Sequence, residues 1–273
     1  MTLPALPPAA LPPAALPLRL PSPGPALALW RLDLSGRGMA LADALTCLSG
    51  PEQARCAALR RPADRLRFAV TRASLRLLLA GRLGLPPQAL PLGAGAHGKP
   101  CLGLPGAPAF NVSHAGAHGL VALAQAPQVT AVGVDVERID AALDPPALRE
   151  MARVCFTPRE RAWLAARAAA QWPAAFHALW TAKEALLKAP GVGIAAHLQQ
   201  VSVLPAGAGA RFAVMPETRE AAALLCDGRV PRLYALPAPP GYAAAVAWLA
   251  PAQPGGEAGE AAEAGEAGEA PGG

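Results

Sequence analysis

Aromatic residues make up only 4% of the 273-residue chain, lysine occurs three times, and five cysteines (47, 56, 101, 155, 226) never fall in a C-x-x-C spacing. Each scarcity excludes something. Few aromatics, and arginines set in no aromatic frame, argue against a nucleic-acid groove. Scattered thiols argue against a zinc site or a disulfide framework and point to a reduced, cytoplasmic setting. Hydrophobic residues reach 53%, but alanine supplies much of that count. No apolar run approaches the ~18 residues of a spanning helix, so no membrane association is expected. The first 25 residues are broken repeatedly by proline and lack a basic start, so a secretory signal is not expected either.

Charge is unevenly distributed. The formal net charge is +5, but Glu257, Glu260, Glu263, Glu266 and Glu269 occupy a C-terminal stretch without Lys or Arg. Without them the body stands at +10, a balance that favours an anionic partner. Of the 24 basic residues 21 are Arg, and the exceptions are Lys99, Lys183 and Lys188.

Residues 1–25 read as a disordered Pro/Ala-rich leader and 251–273 as a disordered acidic Gly/Ala/Glu tail. Between them lie about 225 residues, expected as two parts, 26–128 and 129–250. A start at Met39 would delete the alternating segment 27–34, so a start upstream of it is expected. That segment predicts a strand. Residues 63–84 predict an amphipathic helix, and 86–108, rich in Pro and Gly, a long loop carrying Lys99. Short strands are expected near 110–112 and 120–124, with Ser113–Gly116 as the bend. Residues 129–139 alternate with Val132, Val134 and Val136 on one face and Gly133, Asp135 and Glu137 on the other. Thr157-Pro158-Arg159-Glu160 is a capping box opening a helix. A further helix spans about 173–189, and strands follow near 199–204, 210–215, 231–236 and 242–249. Helices and strands mix in both parts, so the fold class is α+β.

Asp135 and Glu137 share one strand face, while His177, Thr181, Glu184 and Lys188 form one stripe of the 173–189 helix. If that stripe faces the strand, Asp135, Glu137 and Glu184 converge. Three hard oxygen donors suit Mg²⁺ bound with substrate phosphates, and Lys183 and Lys188 would balance phosphate charge. Neither an Asp-x-Glu on a strand nor an i,i+4 Glu–Lys pair is specific alone; the latter is commonly a solvated helix face.

Together the segments are more specific. Val132-Gly133-Val134-Asp135-Val136-Glu137, followed roughly 45 residues on by Trp180-Thr181-Ala182-Lys183-Glu184-Ala185-Leu186-Leu187-Lys188, resembles the paired signature of the 4′-phosphopantetheinyl transferase superfamily. Gly98-Lys99-Pro100, Phe110-Asn111-Val112-Ser113-His114, Phe156-Thr157-Pro158-x-Glu160 and Gly191-x-Gly193-Ile194 resemble further motifs of its surfactin-synthetase-activator (Sfp) type members. The resemblance implies Mg²⁺-dependent (Mn²⁺ is an alternative) transfer of the phosphopantetheine arm of coenzyme A to a serine of an apo acyl or peptidyl carrier protein, releasing adenosine 3′,5′-bisphosphate. It implies Asp135, Glu137 and Glu184 as metal ligands and Lys188 near the pyrophosphate and leaving group. Glu184 is implied as base for the serine, directly or through a metal-bound water. Lys99, Ser113 and His114, with Arg65 and Arg67 more loosely, match positions at the nucleotide end of coenzyme A; Lys183 joins this binding set. The implied fold is a pseudo-dimer of two similar α+β halves with the active site in the cleft between them, acting as a monomer. His97, His118 and His197 have no motif support.

Two other readings compete. A Mg²⁺-dependent nuclease or phosphohydrolase could use the same carboxylates, but it would need the nucleic-acid groove that the composition argues against. A non-catalytic basic module binding an acidic partner would have no use for Asp135, Glu137 or Glu184.

Overall fold

Apolar residues recurring at helical spacing after Pro62 form the 22-residue helix α3 (Pro62–Leu83), counting the short helices α1 (Leu41–Thr46) and α2 (Gly50–Ala58) before it. It stops where Gly84 takes φ 69°, a left-handed conformation that glycine adopts without steric cost. In this computed structural model the described residues are 17–252 apart from 126, 128 and 208. The helix lies on an antiparallel sheet of β1 (Leu18–Leu20), β2 (Leu27–Asp33), β5 (Phe110–Ala115) and β6 (His118–Ala124), in the order β1-β2-β6-β5. A hairpin of β3 (Leu92–Ala94) and β4 (Pro100–Leu102) lies between helix and β5.

The second half opens with β7 (Ala131–Arg138) and the helices α4 (Pro145–Cys155), α5 (Pro158–Ala165) and α6 (Trp172–Lys188). The hairpin β8 (Val201–Pro205) and β9 (Phe212–Pro216), helix α7 (Arg219–Cys226), β10 (Arg229–Ala235) and β11 (Tyr242–Pro251) follow. Its sheet runs β10-β11-β7, all antiparallel. Strand order repeats between halves. With the edge strand β1 set aside, the first strand of each pairs with the last strand, which pairs with the penultimate one: β2-β6-β5 and β7-β11-β10.

Period-two alternation sorts the core into layers. Ala28, Trp30, Leu32, Val121 and Leu123 pack with α3 on the outer face of the first sheet. Leu27, Leu29, Leu120 and Ala122 face Val132, Val134, Val136, Val246 and Trp248, so the two sheets pack against each other. Ala131, Ala245 and Ala247 on the far face of the second sheet meet Phe176, Leu179 and Leu186 of α6. The valine face of β7 is thus the seam between halves, and the Gly133-Asp135-Glu137 face lies under α6.

Several expectations need correction. The leader is not wholly irregular: Leu18–Leu20 pair with Arg31–Leu29 as an edge strand between Pro17 and Pro21, a position that tolerates proline at its ends. Residues 1–16 and 253–273, which hold most of both expected disordered segments, lie outside the described residues. Ser113, His114 and Ala115 continue β5 rather than forming a bend, because the turn to β6 needs only Gly116 (φ 53°) and Ala117. The 86–108 loop contains the β3–β4 hairpin, and α4 arises from Asp144, whose carboxylate accepts a hydrogen bond from the Ala147 N–H.

Gly133 sets how closely α6 approaches. A Cβ there would overlap the Ala185 carbonyl oxygen and lie 2.7 Å from the Ala189 nitrogen. Both are backbone atoms of the helix end, so relief requires moving α6 itself. Gly133→Ala is expected to destabilise the protein by about 2–3 kcal/mol, the upper range of overpacking costs, as read by denaturant unfolding.

Candidate active site

Register places Asp135 opposite Ala245 and Glu137 opposite Ala243, so both carboxylates stand on the α6 face beside very small neighbours. Glu184 descends from α6. Ligand oxygens of Asp135, Glu137 and Glu184 lie within 4.8 Å of one another, the group among the described residues with the makings of a cation site. Lys188, one turn past Glu184, places its ammonium 2.5 Å from Asp135 Oδ1 and 2.9 Å from Glu184 Oε2. Ser113 of β5 donates its hydroxyl to the same Asp135 Oδ1 at 2.7 Å. Asp135 is 0% exposed, yet among the described residues nothing hydrogen-bonds its Oδ2.

An orphaned buried carboxylate oxygen costs free energy unless something binds it. Burial also disfavours charge on the two neighbouring carboxylates. Burial, then repulsion from Asp135 and Glu184, pushes Glu137 up to about 7. Burial raises Glu184 as well, with Asp135 adding to it and Lys188 resisting. Burial disfavours the Lys188 ammonium, but Asp135 and Glu184 outweigh it and lift its pKa. One ammonium does not balance three crowded carboxylates. The donor set, all hard oxygen with one oxygen unused, fits a divalent cation such as Mg²⁺.

The other expected residues separate. Lys183 is corrected: it is 0% exposed and pairs with Glu160 Oε2 at 2.5 Å, also donating to the Cys155 and Leu198 carbonyls. Adjacent helix positions point about 100° apart, so with Glu184 facing β7, Lys183 turns into the core and is withheld from any phosphate. Glu160 completes that network through the Thr157 and Val203 N–H groups. Lys99 directs its ammonium to the carbonyls of Val132, Lys188 and Ala189 at 3.0, 2.7 and 2.7 Å, not outward to a ligand. Arg65 donates Nε to the Leu59 carbonyl at 2.6 Å, and Arg67 pairs with Asp64 at 2.6 Å. His114 faces the α3 side of β5, opposite Ser113; partial desolvation and then Arg67, with Lys188 adding, lower its pKa. His177 and Thr181 are satisfied within α6, by the Pro173, His177 and Ala178 carbonyls.

Sequence reasoning missed three partners. Ser113 was expected at a nucleotide but hydrogen-bonds Asp135. Asn111 Oδ1 accepts from the Val134 N–H at 2.9 Å, tying β5 to β7. The Trp180 indole beside Glu137 favours its charged form. Extending the alternation of β5 through residue 115 would have placed Asn111 and Ser113 on one face. Ser113→Ala is expected to weaken Mn²⁺ binding about tenfold to hundredfold without coenzyme A present, as read by metal titration of the folded variant.

Residues 131–247 match the family model described as the 4′-phosphopantetheinyl transferase superfamily. The chain is 37% identical over 173 residues to a Synechocystis sp. protein named "Putative 4′-phosphopantetheinyl transferase slr0495", covering 63% of this chain and 67% of that one. It is 35% identical over 178 residues to the 4′-phosphopantetheinyl transferase HetI of Nostoc sp., covering 64% and 72%. Among solved structures, a holo-(acyl-carrier-protein) synthase from Bacillus anthracis in complex with coenzyme A is 17% identical, with a TM-score of 0.36, covering 45% of this chain and 98% of that one.

Proposed function

The chain belongs to the 4′-phosphopantetheinyl transferase superfamily, and on that premise we propose that it moves the phosphopantetheine arm of coenzyme A onto a serine of an apo acyl or peptidyl carrier protein. The observation that carries this reading is the buried cluster of Asp135, Glu137 and Glu184, with a free oxygen on Asp135 and Lys188 at its edge. A Mg²⁺ ion held by these carboxylates would withdraw charge from the attacked phosphorus and from the leaving phosphate. Glu184 is the base that takes the proton of the carrier serine. The serine oxygen forms the new P–O bond. The P–O bond to the nucleotide phosphate breaks, and adenosine 3′,5′-bisphosphate leaves beside the Lys188 ammonium. The repeated strand order supports a pseudo-dimer of halves 26–128 and 129–250, with the site where Ser113 of one meets Asp135 of the other. The +10 body favours both the polyanionic coenzyme and an acidic carrier.

Incubating the protein with coenzyme A, Mg²⁺ and an apo carrier is expected to add one phosphopantetheine arm, read by mass spectrometry. No gain across several carrier types would overturn the proposal. Glu184→Gln is expected to lower the transfer rate at least about hundredfold while the protein stays folded; near-wild-type turnover at saturating Mg²⁺ would remove Glu184 as base.

His114 and Arg67, within electrostatic reach of each other and of Lys188, suit the 3′-phosphate. The free His114 titrates below the usual histidine range, so it is largely neutral at pH 7. A phosphate seated against it reverses that shift, and binding then takes up a proton. The ratio of wild-type to His114→Ala affinity for coenzyme A is therefore expected to rise as pH falls from 8 to 6, to about tenfold. With 3′-dephospho-coenzyme A the ratio is expected to stay near one, as read by calorimetric titration.

A further inference from the structure

The last carbonyls of a helix lack intrahelical donors, and the helix dipole leaves that end partially negative. At the end of α6 a residue from the other half meets both needs. Lys99, in the turn that closes the β3–β4 hairpin, reaches across and donates to the Lys188 and Ala189 carbonyls and to the Val132 carbonyl of β7. An ammonium has three protons, and all three are used. The stem packs on the turn after α6, where a Cβ on Gly191 would lie 3.1 Å from Lys99 Cδ.

We propose that Lys99 is a positioning residue that fastens the end of α6 to β7 and so holds Glu184 and Lys188 against Asp135. The connectivity makes the lever short. Val132 lies three residues before Asp135, and Lys188 lies one turn past Glu184. The residue whose carbonyl Lys99 holds is the one whose ammonium sits 2.5 Å from Asp135 Oδ1. Burial lowers the Lys99 pKa to about 8, so its charge is kept at a desolvation cost that the three carbonyl dipoles offset only in part. Lys99 therefore acts on the metal cluster through the backbone, before any coenzyme arrives. Arginine, a planar fork rather than a point charge, satisfies this carbonyl cage only in part.

The inference rests on the transferase reading only for its activity readout; metal binding tests it separately. Mn²⁺ is titrated into the full-length protein without coenzyme A, following free ion by electron paramagnetic resonance. Lys99→Met, folded by circular dichroism, is expected to raise the Mn²⁺ dissociation constant at least tenfold, and Lys99→Arg by less. At saturating metal the turnover number of the Met variant is expected to fall while KM for coenzyme A stays unchanged. Should the Met variant not fold, Lys99→Gln takes its place under the same criterion. Wild-type Mn²⁺ affinity in a folded variant, with only its melting temperature lowered, overturns the proposal. So does a loss confined to coenzyme A affinity, the signature of a direct phosphate contact. If the wild-type protein loads no carrier, the transferase reading fails, and the Mn²⁺ result still decides the role of Lys99.

Discussion

The site depends on one close approach, that of α6 to β7 at Gly133. A helix normally rests on a sheet at a separation set by side chains. Here Gly133, Ala245 and Ala247 stand side by side on the α6 face of the sheet, and the helix backbone settles where even a methyl group on Gly133 would overlap it. At that separation a glutamate from the helix meets an aspartate and a glutamate from the strand within 4.8 Å. Two periodicities do the rest. A period of two puts Asp135 and Glu137 beside Gly133, and a period of 3.6 puts Lys188 one turn beyond Glu184, at the same depth.

Three carboxylates brought together out of water oppose folding, and the contrast with other buried charges shows what distinguishes them. Arg76, 1% exposed, meets Glu52 at 2.6 Å and the Pro87 and Leu90 carbonyls at 2.5 and 3.1 Å. Lys183 and Glu160 are likewise saturated with partners. Such networks are closed, and removing one member would strand the others. The Asp135-Glu137-Glu184 cluster is open: its negative charge exceeds its cations, and Asp135 Oδ2 stays without a donor among the described residues. Closed networks hold a fold in place. An open one keeps capacity for a ligand and relies on the layered core for stability.

Much of this was legible in the sequence, for identifiable reasons. The alternation of β7 and the capping box at Thr157 are local signals, and local geometry honoured them. The convergence of Asp135, Glu137 and Glu184 followed from placing one stripe of α6 over one face of β7. What failed depended on long-range packing. Lys183 and Glu184 are neighbours in sequence, and no local signal says which of the two turns into the core; the buried Glu160 decides that. Lys99 resembled a solvent-facing or ligand-facing residue of a Pro/Gly loop until the fold brought the open end of α6 beneath it. Ser113 was misplaced by one structural step, a bend assigned where β5 continues, and that step separates a ligand contact from a hydrogen bond to Asp135.

Three residues of the first half, Asn111, Ser113 and Lys99, also say why both halves matter. Asp135 and Glu184 belong to the second half, but the hydroxyl on Asp135 comes from Ser113, the amide on the β7 backbone from Asn111, and the ammonium at the end of α6 from Lys99. Residues 129–250 alone would leave the Val132, Lys188 and Ala189 carbonyls without that donor and would expose the valine face of β7 to water. Both losses fall within a few residues of the carboxylates. The first half therefore supplies three of the contacts that hold the carboxylate cluster and its backbone in place.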